Sequence, residues 1–133
     1  MSQDKKTDIA LLLLRLYVGF AMFHGHGLRK FNKLFGDEEI TFADPFGIGP
    51  APSLALAVFA EALCSILIAF GLFTRLSTIP LIITMLVAWL MVHWGDPFGD
   101  QELAVFYLVS YVVLFLQGPG WYSMDSLMNR KQI

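Results

Sequence analysis

The chain has 133 residues, 56% hydrophobic and only 15% charged, with a mean hydropathy of +0.63, which is more apolar surface than one soluble core of this length can hide. A bilayer accepts the excess when every backbone group is satisfied within a helix or a closed barrel, so the composition predicts one integral membrane domain over residues 1–133. The formal charge of −2 excludes the basic excess that draws proteins to nucleic acid, and the single cysteine, Cys64, excludes an internal disulfide or a CxxC pair.

In chain order, Lys5 and Lys6 before Leu11–Leu14 have the look of a secretory signal, but Arg15 interrupts the apolar run and no small-x-small cleavage site follows. Residues 9–28 are therefore predicted as a retained first span. The next connection, residues 29–50, is long. It carries Lys33, Asp37, Glu38, Glu39 and Asp44, then Pro45, Gly47, Gly49, Pro50 and Pro52, with Phe31, Phe35, Phe42 and Phe46 spread through it. Aromatics in a polar loop predict a segment folded back onto the bundle or resting at the membrane interface.

Residues 51–73 form the second predicted span, rich in small residues (Ala51, Ala55, Ala57, Ala62, Ser65, Ala69) that let helices approach closely; it is expected to be central. Cys64 lies in this run and reads as a small packing residue. A tight turn at Phe73-Thr74-Arg75 makes an antiparallel hairpin with the third span, residues 76–94. The fourth, residues 101–117, has a short apolar centre and reaches spanning length only by taking in Gln101, Glu102 and Gln117. Gly118-Pro119-Gly120 stops it, Trp121 and Tyr122 suit headgroup depth, and Ser123 can cap a short helix over 123–131 with Asp125 in its first turn. The expected fold is an all-α membrane protein, a four-transmembrane-helix bundle with a long first extramembrane loop. Five basic residues (Lys5, Lys6, Arg75, Arg130, Lys131) lie near the end shared by the termini, against three (Arg29, Lys30, Lys33) at the other. The positive-inside rule thus favours cytoplasmic termini.

Two ionisable residues fall well inside spans, Arg15 and Glu61. Each costs at least about 2.5 kcal/mol on insertion scales and needs an inward face and a partner. Arg15 lies roughly 10 Å and Glu61 roughly 18 Å from the termini end at about 1.5 Å per residue, a difference their side chains can bridge. Three outcomes are open: a structural ion pair, a pair that also binds a ligand head group or handles a proton, and no contact. Helical phase puts His26, not His24, on the face of Arg15, Gly19 and Met22, unless Gly25 and Gly27 break the helix. His24, His26, Lys30, His93 and Glu102 all fall near the loop end, where with Glu61 they could ring a polar pocket. No HxxxH or ExxH spacing marks a metal or haem site, and no phosphate loop, nucleotide fingerprint or Ser-His-Asp arrangement is present.

Several pieces, in this order, resemble the DoxX family of small four-span membrane proteins: Arg15-Leu16 with Gly19 and Phe23; His26-Gly27-Leu28-Arg29-Lys30; Ala60-Glu61; Gly71 to Leu76; and Gly118-Pro119-Gly120 with Tyr122, Ser123 and Asp125. The resemblance covers about Leu14 to Asp125. It implies a protein of the bacterial cytoplasmic membrane linked to respiratory or sulfur redox chemistry, as a quinol oxidase or thiosulfate:quinone oxidoreductase subunit or as the membrane partner of a soluble detoxifying enzyme. The leading expectation is a quinone-associated redox subunit, with Glu61 and His26 as catalytic proton donor or acceptor and Arg15, Lys30, His93 and Glu102 as ligand-binding residues. No metal is expected, and a quinone or another amphipathic small molecule is the candidate ligand. A soluble or membrane redox protein and a second copy of the chain are candidate protein partners. The alternatives are a non-catalytic scaffold or assembly factor that docks a soluble enzyme through the first loop and the terminal helix, and a small-solute transporter, disfavoured by the lack of an evident inverted repeat.

Overall fold

The computed structural model describes residues 3–131, and all regular structure among them is helical. Helix α1 comprises Gln3–Met22, a wide π-helical turn over Phe23–Gly27 and a final stretch Leu28–Leu34. Helix α2 runs Pro50–Phe70, α3 Thr74–Val92 and α4 Phe98–Gln117, and a short α5 follows over Met124–Lys131. The first four are each long and apolar enough to cross a bilayer. They stand in an up-down-up-down ring in which α1 packs on α2, α2 on α3, α3 on α4, and α4 closes back onto α1. The protein is therefore an integral membrane four-helix bundle.

Local chemistry sets the boundaries. Pro50 opens α2 at a position where no amide hydrogen is needed. Gly71 ends it in the left-handed conformation (φ 69°), which returns the amides of Gly71 and Leu72 to the carbonyls of Ile68 and Leu67. Gly118, at φ 84°, ends α4. The first span differs from its expected limit at residue 28. Gly25 and Gly27 do not break the helix; their stretch widens into the π turn and the helix continues to Leu34, leaving a loop of residues 35–49. At 1.5 Å per residue the 31 residues Asp4–Leu34 extend about 46 Å, more than the roughly 30 Å hydrocarbon core, so the last turns of α1 stand proud of it.

The inward stripe of α1 consists of Leu11, Arg15, Val18, Gly19, Met22 and Gly27, the period of a helix with one buried face. A methyl group on Gly19 would lie 2.8 Å from the Ser65 carbonyl oxygen and the Ala69 side chain, and one on Gly27 would collide with the backbone of Glu61 and Ala62. These two glycines set how closely α1 approaches α2. Half of the apolar window of α2 is buried, against 22–28% in the other three spans, as its small residues lead one to expect. The main core joins Val18, Met22, Ala60, Cys64, Ile68, Leu81, Met85, Tyr107, Tyr111 and Leu114. A smaller cluster of Leu54, Val58 and Ala62 at the loop end receives Phe42, which folds back onto the bundle.

Candidate functional site

Arg15 and Glu61 are each 1% exposed, but they do not pair. The Arg15 guanidinium donates from Nε to the Pro119 carbonyl (2.9 Å), from one terminal nitrogen to Ile68 and Ala69 (3.3 and 3.1 Å), and from the other to Tyr122. Ile68 and Ala69 belong to the last turn of α2, whose carbonyl oxygens can accept a further donor and carry the negative end of the helix dipole. Arg15 is thus a helix cap supplied by another helix. The same end is knit by Arg75, which donates to Phe115 and Leu116 in the last turn of α4 (3.1 and 3.4 Å). Asp125, in turn, accepts from the amides of Phe73 and Thr74 (2.7 and 2.9 Å) at the start of α3, where a negative charge is favoured. Asp8 accepts from the Trp121 amide (3.0 Å), and the Arg130 guanidinium stacks 3.8 Å above the Trp121 ring. The expected bridge between Arg15 and Glu61 is corrected accordingly: nearby helix-end carbonyls already match the fork of the guanidinium.

Glu61 pairs instead with Lys30, whose Nζ lies 2.7 and 2.6 Å from its two oxygens. The Lys30 side chain keeps 24% of its surface, that of Glu61 only 2%. The extension of α1 makes this pair, because Lys30 sits one turn beyond the π stretch, on the helix rather than in a loop. Glu61 itself lies in a second π-helical turn, Phe59–Cys64, which packs against the first, and a third occupies Ala88–Val92. The first two face each other between α1 and α2, and the third closes α3 at the loop end. Such wide turns are frequent at functional sites.

Beside the pair lies a cavity of about 480 Å³ between α2 and α3, roofed by the loop. Lys30 and Glu61 supply its charge; Ala57, Ala60, Ile83 and Val87 are among its apolar walls; Phe42 and Phe46 cover it; and His93 sits on its wall. Its lining includes Leu56, Phe59, Ile79 and Ile83, all among the exposed apolar residues of the spans, so it opens sideways toward lipid. The loop is pinned by Asp44, whose carboxylate accepts from the amides of Ile48 and Gly49 (2.9 and 2.8 Å) and from the Ser53 hydroxyl (3.0 Å). Desolvation acts against the Asp44 carboxylate, but the donors of Gly49, Ser53, Ile48 and Gly47 outweigh it and hold its pKa below the usual range. Lys33 donates to the Thr41 carbonyl, and Lys30 and Lys33 both approach the Phe42 ring, at 5.8 and 5.7 Å.

Of the residues expected to ring a pocket, Lys30, Glu61 and His93 line this one. His93 also contacts Asp96 through Nδ1 at 3.1 Å. His26 faces the bundle, as its phase predicts, but meets the edge of Tyr107 at 5.9 Å instead of the cavity. His24 is exposed and stacks on Phe20 at 5.5 Å. Glu102 is exposed and outside the lining; its neighbour Gln101 turns inward to accept from the Trp89 indole (2.9 Å) and donate to the Asp96 carbonyl (2.7 Å). Among the described residues no group of three His, Cys, Asp or Glu could hold a metal ion. The π turns had no signal in the sequence beyond Gly25 and Gly27.

Four apolar spans packed as one bundle, with a charged pair beside a laterally open apolar cavity, define the class: a small helical integral membrane protein. The chain belongs to the DoxX family, whose model matches residues 10–94. A protein of Haemophilus influenzae described as uncharacterized is 30% identical over 131 residues, covering 93% of this chain and 86% of that one. A Bacillus subtilis protein named "Putative oxidoreductase CatD" is 32% identical over 125 residues, covering 92% and 89%. A second uncharacterized H. influenzae protein is 30% identical over 135 residues, covering 96% and 97%. No solved structure matches the chain.

Proposed function

We propose that the protein is a quinone-binding subunit of a membrane redox system of the bacterial cytoplasmic membrane, its termini on the cytoplasmic side. The observation that carries this reading is the Lys30–Glu61 pair at the base of an apolar cavity open to lipid. A volume of about 480 Å³ lies in the range of small-ligand pockets, enough for a quinone ring with its tail leaving between α2 and α3. The oxidoreductase name of the Bacillus subtilis relative supports the same direction.

The chemistry follows from the pair. Lys30 Nζ donates to a quinone carbonyl oxygen and favours negative charge there. When quinol is oxidised, the Glu61 carboxylate takes one hydroxyl proton, His93 on the cavity wall takes the second, and the two electrons pass to a partner redox protein. Reduction runs the same transfers backwards. His26 touches Tyr107 and not the cavity, so it does not meet the ligand. Arg15, at the other end of the bundle, holds the frame.

Titration of the protein in nanodiscs with decylubiquinone, followed by tryptophan quenching, tests the reading. Saturable micromolar binding is expected. Lys30→Met should weaken it at least tenfold, and Glu61→Gln should leave affinity within about threefold while abolishing its pH dependence. Absence of saturable binding to the wild type, or indifference to Lys30→Met, would sink it. A second reading, a scaffold that docks a soluble enzyme through the loop, is favoured by Phe35 and Phe46, which are 70% and 60% exposed. A co-purifying enzyme lost from a Phe35→Ser/Phe46→Ser variant that still binds quinone would support it.

A further inference from the structure

Glu61 has a second side. Ser65 follows it by one helical turn on the same face of α2, and both are buried. Across the bundle, Tyr107 and Tyr111 of α4 stack with ring centres 6.0 Å apart, and His26 of α1 meets the upper ring. Tyr111 and Ser65 are both fully buried, their hydroxyls neighbour one another, and neither oxygen has a hydrogen bond of acceptable geometry. Tyr111 and His26 both lie within electrostatic reach of Glu61.

Buried hydroxyls without partners are rare, and in lipid no bulk water can rescue them. Their usual partner is an internal water with two to four polar neighbours. We propose that Ser65 Oγ and Tyr111 Oη hold an internal water below Glu61, and that this hydrated site, bordered by Tyr107 and His26, carries protons to and from Glu61 on the side away from the cavity. The proposal rests on the reading of Glu61 as the proton-handling group of that cavity. Ligand and proton then reach one carboxylate from opposite faces: the ligand from lipid between α2 and α3, the proton from within the bundle between α2 and α4. In each passage the water takes a proton from the Glu61 carboxyl and gives one of its own to the imidazole of His26, which borders the site beside Tyr107, and no electron moves.

Three measurements test it. Crystals grown from a lipidic mesophase should show a water within hydrogen-bond distance of both Ser65 Oγ and Tyr111 Oη; the two hydroxyls bonded directly to each other with no water would overturn the proposal. In thermal unfolding, Tyr111→Phe and Ser65→Ala should each lower the midpoint by a few degrees, because each strands a hydrated partner, whereas a rise in both would mean a dry site whose hydroxyls are better removed. When bound decylubiquinone is reduced chemically, proton uptake read by a pH dye should slow at least tenfold in either variant while affinity stays within twofold. An unchanged uptake rate overturns the relay. A wild type that shows the water and the falling midpoints but binds no quinone supports the hydrated site and removes the functional reading above.

Discussion

Arg15 and Glu61 were legible as the two residues whose burial has to be explained, since an ionisable group inside a span has few inexpensive solutions. Their partners were not. Height along two antiparallel helices can be counted from sequence, but the azimuth of each side chain and the open carbonyls of a helix end cannot. The four acceptors of Arg15 are backbone atoms of Ile68, Ala69, Pro119 and Tyr122, and a carbonyl has no residue identity to read. Lys30 was expected beside Glu61 in a polar pocket, but not as its ion-pair partner: with the first span cut at residue 28 it fell in a loop, and the continuation of the helix turns it toward Glu61. Replacing Arg15 by Met should therefore destabilise the protein by about 2–4 kcal/mol, since buried carbonyls lose charged donors, while quinone affinity stays within twofold because the cavity is at the other end. Denaturant unfolding in micelles together with the nanodisc titration checks both halves.

At the scale of the element, Gly25 and Gly27 share one π turn and should respond oppositely. A methyl group at Gly27 runs into the Glu61 and Ala62 backbone, whereas one at Gly25 meets nothing within 4 Å. Gly27→Ala should push α1 from α2, cost about 1–3 kcal/mol and weaken ligand binding by separating Lys30 from Glu61. Gly25→Ala should gain up to about 1 kcal/mol. Equal behaviour of the two in unfolding experiments would contradict the packing described. The loop over the cavity answers to pH through Asp44. Its folded pKa is depressed, so its contribution is present above the unfolded value of about 3.9 and lost as pH falls through the lower folded value. In a Phe46→Trp variant, tryptophan emission should hold steady from pH 7 to about 4 and shift red below that. Asp44→Asn should give the red-shifted emission already at pH 7. The loop's aromatics were readable as a segment returning to the bundle; that Asp44 pins it was not, because an Asp before a glycine turn is equally common in free loops.

For the whole molecule, composition pointed to a membrane and the four apolar runs with the turns between them marked the spans. Even the marginal fourth span proved to be 20 residues long, beginning at Phe98 and taking in Gln101 and Glu102. The residues shared with the DoxX pattern separate into two groups by height. Arg15, Gly71, Arg75, Gly118 and Asp125 tie the helix ends at one face of the membrane, and His26, Gly27, Lys30 and Glu61 shape the site near the other. The proposed orientation rests on the basic residues. With Cys64 replaced by Ala, a membrane-impermeant maleimide should label Glu38→Cys in intact spheroplasts and Ser126→Cys only after lysis; the reverse pattern would invert the proposed topology.

The reach of Arg15 also bears on how the chain enters the membrane. Two of its acceptors, Pro119 and Tyr122, lie 104 and 107 residues downstream. While α1 leaves the translocon its cation has no partner, and such a helix is a poor inserter by itself. Ile68 and Ala69 arrive with α2, the remaining carbonyls only when α4 is complete. Completing the bundle around Arg15 is thus a collective act: the guanidinium of the first helix has its full set of acceptors only after the segment beyond the last span has been made.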